Sequence, residues 1–182
     1  MNMLVHRTAD SSELPFVLDD LKMHLRILHE DDDPAITKMG HTAAAEIEQF
    51  AQIALLTQTI RVTIFDPGMA TYLKLPIGPV ADDEVPTVTI DGDAFTAFEL
   101  IGGNRPVIRW LSGYPDTPPS RMTITYQAGF GATAADIPAD LAQALMDQTA
   151  LHFDGRSPMD AKSLTTSPHM ARIGARYRGV QL

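Results

Sequence analysis

The sequence predicts an α+β fold, namely a small bundle of three main helices with an inserted antiparallel β module and an extended C-terminal tail. Three observations carry this reading. Apolar residues recur at helical spacing up to about residue 50, the period changes to two from Thr57 to Ala128, and a helical pattern returns after Pro138. With 182 residues, 45% apolar and 20% charged, the chain has material for one sizeable core or for one domain with an insertion.

Leu18, Leu21, Leu25 and Leu28 stand three and four apart, one stripe of a short helix that leaves Asp19, Asp20, Lys22 and Arg26 largely off it. The acidic run Glu30-Asp31-Asp32-Asp33 breaks the pattern. Asp33 followed by Pro34 reads as an N-cap with proline at the first helical position, so a second helix starts there. Ile36, Met39, Ala43, Ile47 and Phe50 line its buried face, and the alanines at 43 to 45 allow close helix packing.

From Thr57 the signal is alternation. Ile60, Val62 and Ile64 alternate with Arg61 and Thr63, Val88 and Ile90 with threonines, and Met122, Ile124 and Tyr126 with Thr123 and Thr125. Asp91-Gly92 is a hairpin turn signal with Phe95 to Leu100 as the return strand, and Pro106 to Leu111 offers one more strand ending near Trp110. Pro67-Gly68, Pro76, Gly78-Pro79, Gly102-Gly103 and Pro115 to Pro119 punctuate five or six short strands.

Pro138 opens the third helix, Ala139 to Phe153, with Leu141, Ala142, Leu145, Met146 and Phe153 on a broad apolar face; Gly155, Ser157 and Pro158 end it. Asp160 to Ser167 reads as linker, and Pro168 to Arg178 as a short helix with Arg172 and Arg176 one turn apart. The organisation is thus an N-terminal arm (1–17), a helical hairpin (18–56), the β module (57–128), the third helix (129–158) and a C-terminal docking tail (159–182).

Charge is unevenly placed. The last 28 residues hold five of the 14 Lys and Arg and one of the 23 acids, so an acidic body carries a cationic tail. A short segment of opposite sign is drawn to an acidic surface, its own or a neighbour's. Ile173, Tyr177 and Val180 interleaved with the arginines add apolar anchors, which favours docking onto a partner over packing on the chain's own body or disorder.

A net charge of −9 argues against broad nucleic-acid affinity and adhesion to anionic membranes. The absence of cysteine removes disulfides, thiolate metal sites and a cysteine nucleophile, and suits a reducing compartment. The N-terminus has no signal-peptide pattern, and no apolar stretch approaches the ~20 residues of a membrane helix.

No catalytic constellation stands out. Gly129-Phe-Gly131-Ala-Thr-Ala134 fits a loose dinucleotide pattern, but Pro138 delays the helix and no parallel strand follows, so a plain strand-to-helix loop is preferred. Glu30 to Asp33 lacks the alternation and glycine of a calcium loop and reads as a solvated turn. His24 and His29 are five apart and share no helix face. His152 with Asp154 has no serine-nucleophile motif beside it, and Trp110 reads as core.

Leu18-Asp-Asp-Leu-Lys-Met-His-Leu-Arg-Ile27, Asp31 to Asp33, and Ala54-Leu-Leu-Thr-Gln-Thr-Ile60 in order, followed by Tyr126-Gln-Ala-Gly-Phe-Gly131, Asp136-Ile-Pro138 and Ser167 to Arg178, resemble the head-to-tail connector, or portal adaptor, proteins of long-tailed bacteriophages and gene transfer agents. The resemblance covers the chain from Leu18 onward. It implies a non-enzymatic structural adaptor, without cofactor or metal, in a homo-oligomeric ring of about twelve copies joined by heterologous contacts. The ring would sit in the neck of a phage-like particle assembled in a bacterial cytoplasm, between the portal and a stopper or other tail-proximal protein. DNA would pass through without sequence-specific binding. Portal docking would fall to Arg172, Ile173, Arg176, Tyr177 and Arg178. A stopper or tail terminator is the alternative within the same class, and a small nucleotide-binding domain the alternative outside it. The ending Gly179-Val-Gln-Leu182 carries little positive charge, so Tyr177 and Leu182 would contribute by burial.

Overall fold

The computed structural model of the chain describes residues 2–10, 12–68, 70–111, 119–156 and 166–178. It is α+β and divides into two compact units, one built from residues 1–12 and 57–129 and the other from 13–56 and 130–182.

The first unit is all β. Strands β1 (Asn2–Ala9), β2 (Gln58–Phe65), β4 (Thr87–Ile90), β5 (Asp93–Phe95) and β8 (Arg121–Ala128) form a five-stranded antiparallel sheet in the order β1-β2-β8-β4-β5. Strands β3 (Tyr72–Lys74), β6 (Phe98–Ile101) and β7 (Val107–Trp110) form a second sheet in the order β3-β7-β6. Opposed residues share a face, so the register of the larger sheet sorts its side chains into rows. Val5, Val62, Ile124 and Val88 make one inward row and Met3, Ile64, Met122 and Ile90 the next; all but Met3 and Val5, on the edge strand, are buried. The outward rows are Leu4, Thr63, Thr123, Thr89 and Ala94, then His6, Arg61, Thr125 and Thr87, then Thr8, Thr59 and Gln127 on one side and Asn2, Phe65 and Arg121 on the other.

Tyr126 closes the inner layer. Its hydroxyl donates to Ile77 O at 3.0 Å and accepts from Ile77 N at 3.3 Å, and burial pushes its phenol pKa well up. Gly78, the next residue, lies so close to the Asn104 carbonyl that a Cβ would stand 2.4 Å from its oxygen.

Two expectations change here. Residues 2–9 are not a free arm, because they pair along their whole length with β2. The hairpin return is also shorter than expected. Asp91 and Gly92, with φ of 53° and 104°, make the two-residue turn, and β5 ends at Phe95; from Phe98 the chain belongs to the other sheet. Two strands therefore replace one expected run, and β1 and β3, for which no run is named above, bring the five named runs to eight strands among the described residues.

The second unit is helical, with α1 (Leu18–Leu25), α2 (Asp33–Ala51), a 3-10 turn (Ala134–Asp136), α3 (Ala139–Asp154) and α4 (Pro168–Tyr177). Its core joins Phe16, Leu21, Ile36, Ala43 and Ile47 to Leu141, Leu145, Met170 and Ile173. Gly40 lets the Phe16 ring lie on α2, where a Cβ would come within 2.7 Å of it. α1 ends earlier than its leucine stripe suggests. Arg26 adopts a left-handed conformation at φ 60°, its N–H and that of Ile27 close the helix on Met23 O and Lys22 O, and Leu28 is turned out, 96% exposed. α2 begins one residue earlier than expected, with Asp32 at the N-cap. The expected linker over 160–165 and the chain end over 179–182 lie outside the described residues.

Candidate functional site

The sequence favours docking of the C-terminal helix onto a partner over packing on its own body, and in the structure the helix lies against α2 and α3 of its own unit. The sequence of α4 explains this. Met170, Ile173 and Tyr177, spaced three and four apart, put one apolar stripe on the helix. Met170 and Ile173 are buried, 3% and 1% exposed, and Gly174 brings the backbone so close to α2 that a Cβ would stand 2.5 Å from the Phe50 ring.

Polar contacts fix the helix at both ends. Ser167 Oγ accepts from Met170 N as the N-cap, while Ser167 N donates to the Oε1 of Gln148, a buried residue of α3 whose Nε2 donates to Glu46 on α2. Asp140 and Asp147 stand two turns apart on α3, and their partners stand the same distance apart on α4. Asp147 holds His169 at 2.5 Å, and Asp140 accepts from both Arg176 (3.0 Å) and Tyr177 Oη (3.0 Å). The two helices are therefore antiparallel, joined by a matched ladder. Burial first and the Asp140 carboxylate second push the Tyr177 phenol pKa up, and Phe130 meets the same ring edge-on at 5.9 Å.

Of the five residues assigned to portal docking, Ile173 is in the core. Arg176 and Tyr177 come together on Asp140, and Arg178 lies over the Phe50 ring at 5.7 Å. Arg172 faces solvent on the opposite side of α4, with no ion pair among the described residues. The exposed cationic rim is thus Arg172, Arg176 and Arg178. The signal for the inward face was already present in the spacing of Met170, Ile173 and Tyr177. What sequence reasoning missed is the acceptor side: Asp140, Asp147 and Gln148 precede their partners by 19 to 37 residues.

The other singled-out residues have local roles. Asp136 turns back into the Gly131 loop and takes hydrogen bonds from Thr133 N (2.9 Å) and Thr133 Oγ1 (3.0 Å), which lowers its pKa. The position facing Gly131, where a phosphate would approach in a dinucleotide loop, holds this carboxylate. In the acidic turn Asp33 pairs with Lys22 at 2.7 Å, which raises the lysine pKa, and Asp32 pairs with Arg156 at 3.7 Å. His24 contacts Asp147 and His152 contacts Glu46. Among the described residues no three His, Asp or Glu converge where a metal ion could sit. Trp110 is half-buried, not core, set edge-on to Phe95 and Phe98 beside an apolar cavity of about 240 Å³ that Tyr72, Lys74 and Met122 also line.

No protein-family model matches the chain, and no curated protein does. Solved structures do match along nearly the whole length. A chain from a structure described as the virion of a native gene transfer agent particle superposes with a TM-score of 0.79 at 24% identity, covering 98% of this chain and 97% of that one. Chains from two neck structures follow with the same coverage, one of the empty particle computed with C6 symmetry (0.78, 24%) and one of the native particle computed with C12 symmetry (0.77, 25%). This chain therefore has the fold of a chain in those particles, in both of its units.

Proposed function

We propose that the chain is a structural, non-enzymatic component of the neck of a gene transfer agent or phage-like particle. In this reading it is an adaptor whose copies, about twelve, form a ring between the portal and the tail-proximal proteins, around the path of the DNA. The observation that carries the reading is the whole-length likeness to a chain in a neck computed with C12 symmetry, with both units included. A heterologous ring needs two different faces on each copy, and a chain of two units with separate cores supplies them.

The docking element is α4 used in place. Ile173 and Tyr177 hold it on the helical unit, and Arg172, Arg176 and Arg178 meet acidic groups of the portal. The described part of the tail is ordered before it docks, so binding does not incur the entropy cost of folding that segment. Deleting Ser167 to Leu182 is accordingly a poor test, since it strips Met170 and Ile173 from the core. Reversing the exposed charges, Arg172→Glu with Arg176→Glu and Arg178→Glu, is the better one. The variant should keep its helical signal and lose capture by immobilised portal. Retained capture would reject the docking assignment, and crosslinking of position 176 to tail-tube protein instead of portal would favour a terminator.

A further inference from the structure

The outward face of the five-stranded sheet differs in charge from the rest of the molecule. The chain has 23 acids and a net charge of −9, yet no acid stands in the four outward rows, which carry threonines, Gln127, His6, Arg61 and Arg121. The carboxylates at the margins are engaged. Asp10 accepts from Thr59 Oγ1 (2.9 Å), Asp91 from the amides of Ser120 (3.1 Å) and Arg121 (2.8 Å), and Glu84 from the amide of Gln127 (2.9 Å). Both guanidinium groups are exposed and have no ion pair or side-chain hydrogen bond among the described residues. Between them lie two large apolar side chains open to solvent, Leu4 at 62% and Phe65 at 40% exposure.

Two cations are too few for duplex DNA, whose affinity grows with each phosphate neutralised. Arginine beside exposed apolar groups is instead the composition of a protein interface. The opposite composition occurs in the helical unit. The turn between α1 and α2 presents Leu28, almost fully exposed, followed by His29, Glu30 and the 97% exposed Asp31, whose carboxylate is 3.9 Å from His29 Nδ1. One surface is basic and apolar, the other acidic and apolar, and they belong to different units.

We propose that these two surfaces are the two halves of the contact between neighbouring copies. The Leu28–Asp31 turn of one copy seats on the Leu4–Phe65 face of the next, with Glu30 and Asp31 against Arg61 and Arg121. The inference rests on the ring reading above and assigns its interface. Three strands about 4.8 Å apart, eight residues long at about 3.4 Å each, present roughly 400 Å². That is about half of the ~800 Å² per partner in a stable interface, so this contact is the anchor of a larger one. Since the two surfaces differ, each copy keeps one of each free, and the contact propagates head to tail until it closes.

The absence of cysteine makes the test direct. In assembled particles, or in rings nucleated on portal, the double variant Leu28→Cys with Phe65→Cys treated with a short bismaleimide should give a ladder of multimers, whereas either single variant gives no ladder. Arg61→Glu with Arg121→Glu should lower the ladder about tenfold or more, and so should Glu30→Arg with Asp31→Arg. Combining all four reversals in one chain should restore it. A chain that is incorporated into twelvefold necks but gives no ladder, or reversals without effect, would overturn this interface and leave the ring reading standing. A chain absent from the neck would overturn the ring reading itself.

Discussion

Truncating Ile173 to alanine asks whether α4 belongs to the body of the protein. The side chain is 1% exposed within a core that includes Ile47, Leu141 and Met170. Alanine removes three carbons, about 2.4 kcal/mol at roughly 0.8 kcal/mol per buried methylene. The cavity left behind adds about 1–2 kcal/mol, and the better helix propensity of alanine returns about 0.4 kcal/mol. The helical unit should therefore lose about 3–4 kcal/mol, measured as a lower urea midpoint of the helical circular-dichroism signal at unchanged slope. For a cooperative unit of about 100 residues the matching fall in Tm exceeds about 10 °C. Arg172→Ala, one residue away on the solvent side, should stay within about 0.5 kcal/mol. A loss below about 1 kcal/mol for Ile173→Ala would refute the placement of α4 and return the tail to a free segment.

Tyr126→Phe leaves the N–H and C=O of Ile77 without their partner and should cost the β unit about 1–3 kcal/mol at neutral pH, read by urea unfolding. Because the folded phenol keeps its proton where an unfolded one ionises, stability should fall as pH rises past about 10, and the substitution should flatten that limb, leaving the smaller share from Tyr177. Asp136 has the opposite sign. Its lowered pKa stabilises the fold above about pH 4 and the contribution is lost as pH falls through the folded value, so Asp136→Asn should shrink the acid limb of a stability-pH profile. Gly78→Ala drives a Cβ against the Asn104 carbonyl, a backbone group that no rotamer change can clear, and should lower the Tm of the β unit by several degrees in calorimetry.

Where a local pattern determined the structure, the sequence was readable. The stripe of α2 and the alternation in β2, β4 and β8 fall where expected, because each buries one face along its own length. β1 carried no such pattern. It is an edge strand, mostly exposed, and its pairing depends on β2, 49 to 63 residues away. Leu28 misled for the reverse reason, since the spacing continues on paper after Arg26 has already turned the chain out of the helix. At α4 the arginines drew attention from the apolar stripe that seats the helix. The acceptors that hold it, Asp140, Asp147 and Gln148, are single polar residues on α3, and nothing in their own neighbourhood marks them as partners of Ser167, His169 and Tyr177. The outward sheet face was hidden similarly, because its rows become a surface only once the register is known.

Cryo-electron microscopy of the intact particle neck, with this chain labelled, tests the central claim most directly. The account predicts a closed ring of this chain beneath the portal, with the arginine rim of α4 turned to the portal and the Leu28 turn of each copy on the neighbour's threonine-rich sheet. Density for the chain elsewhere in the particle, or as isolated copies with that sheet bare, would contradict it.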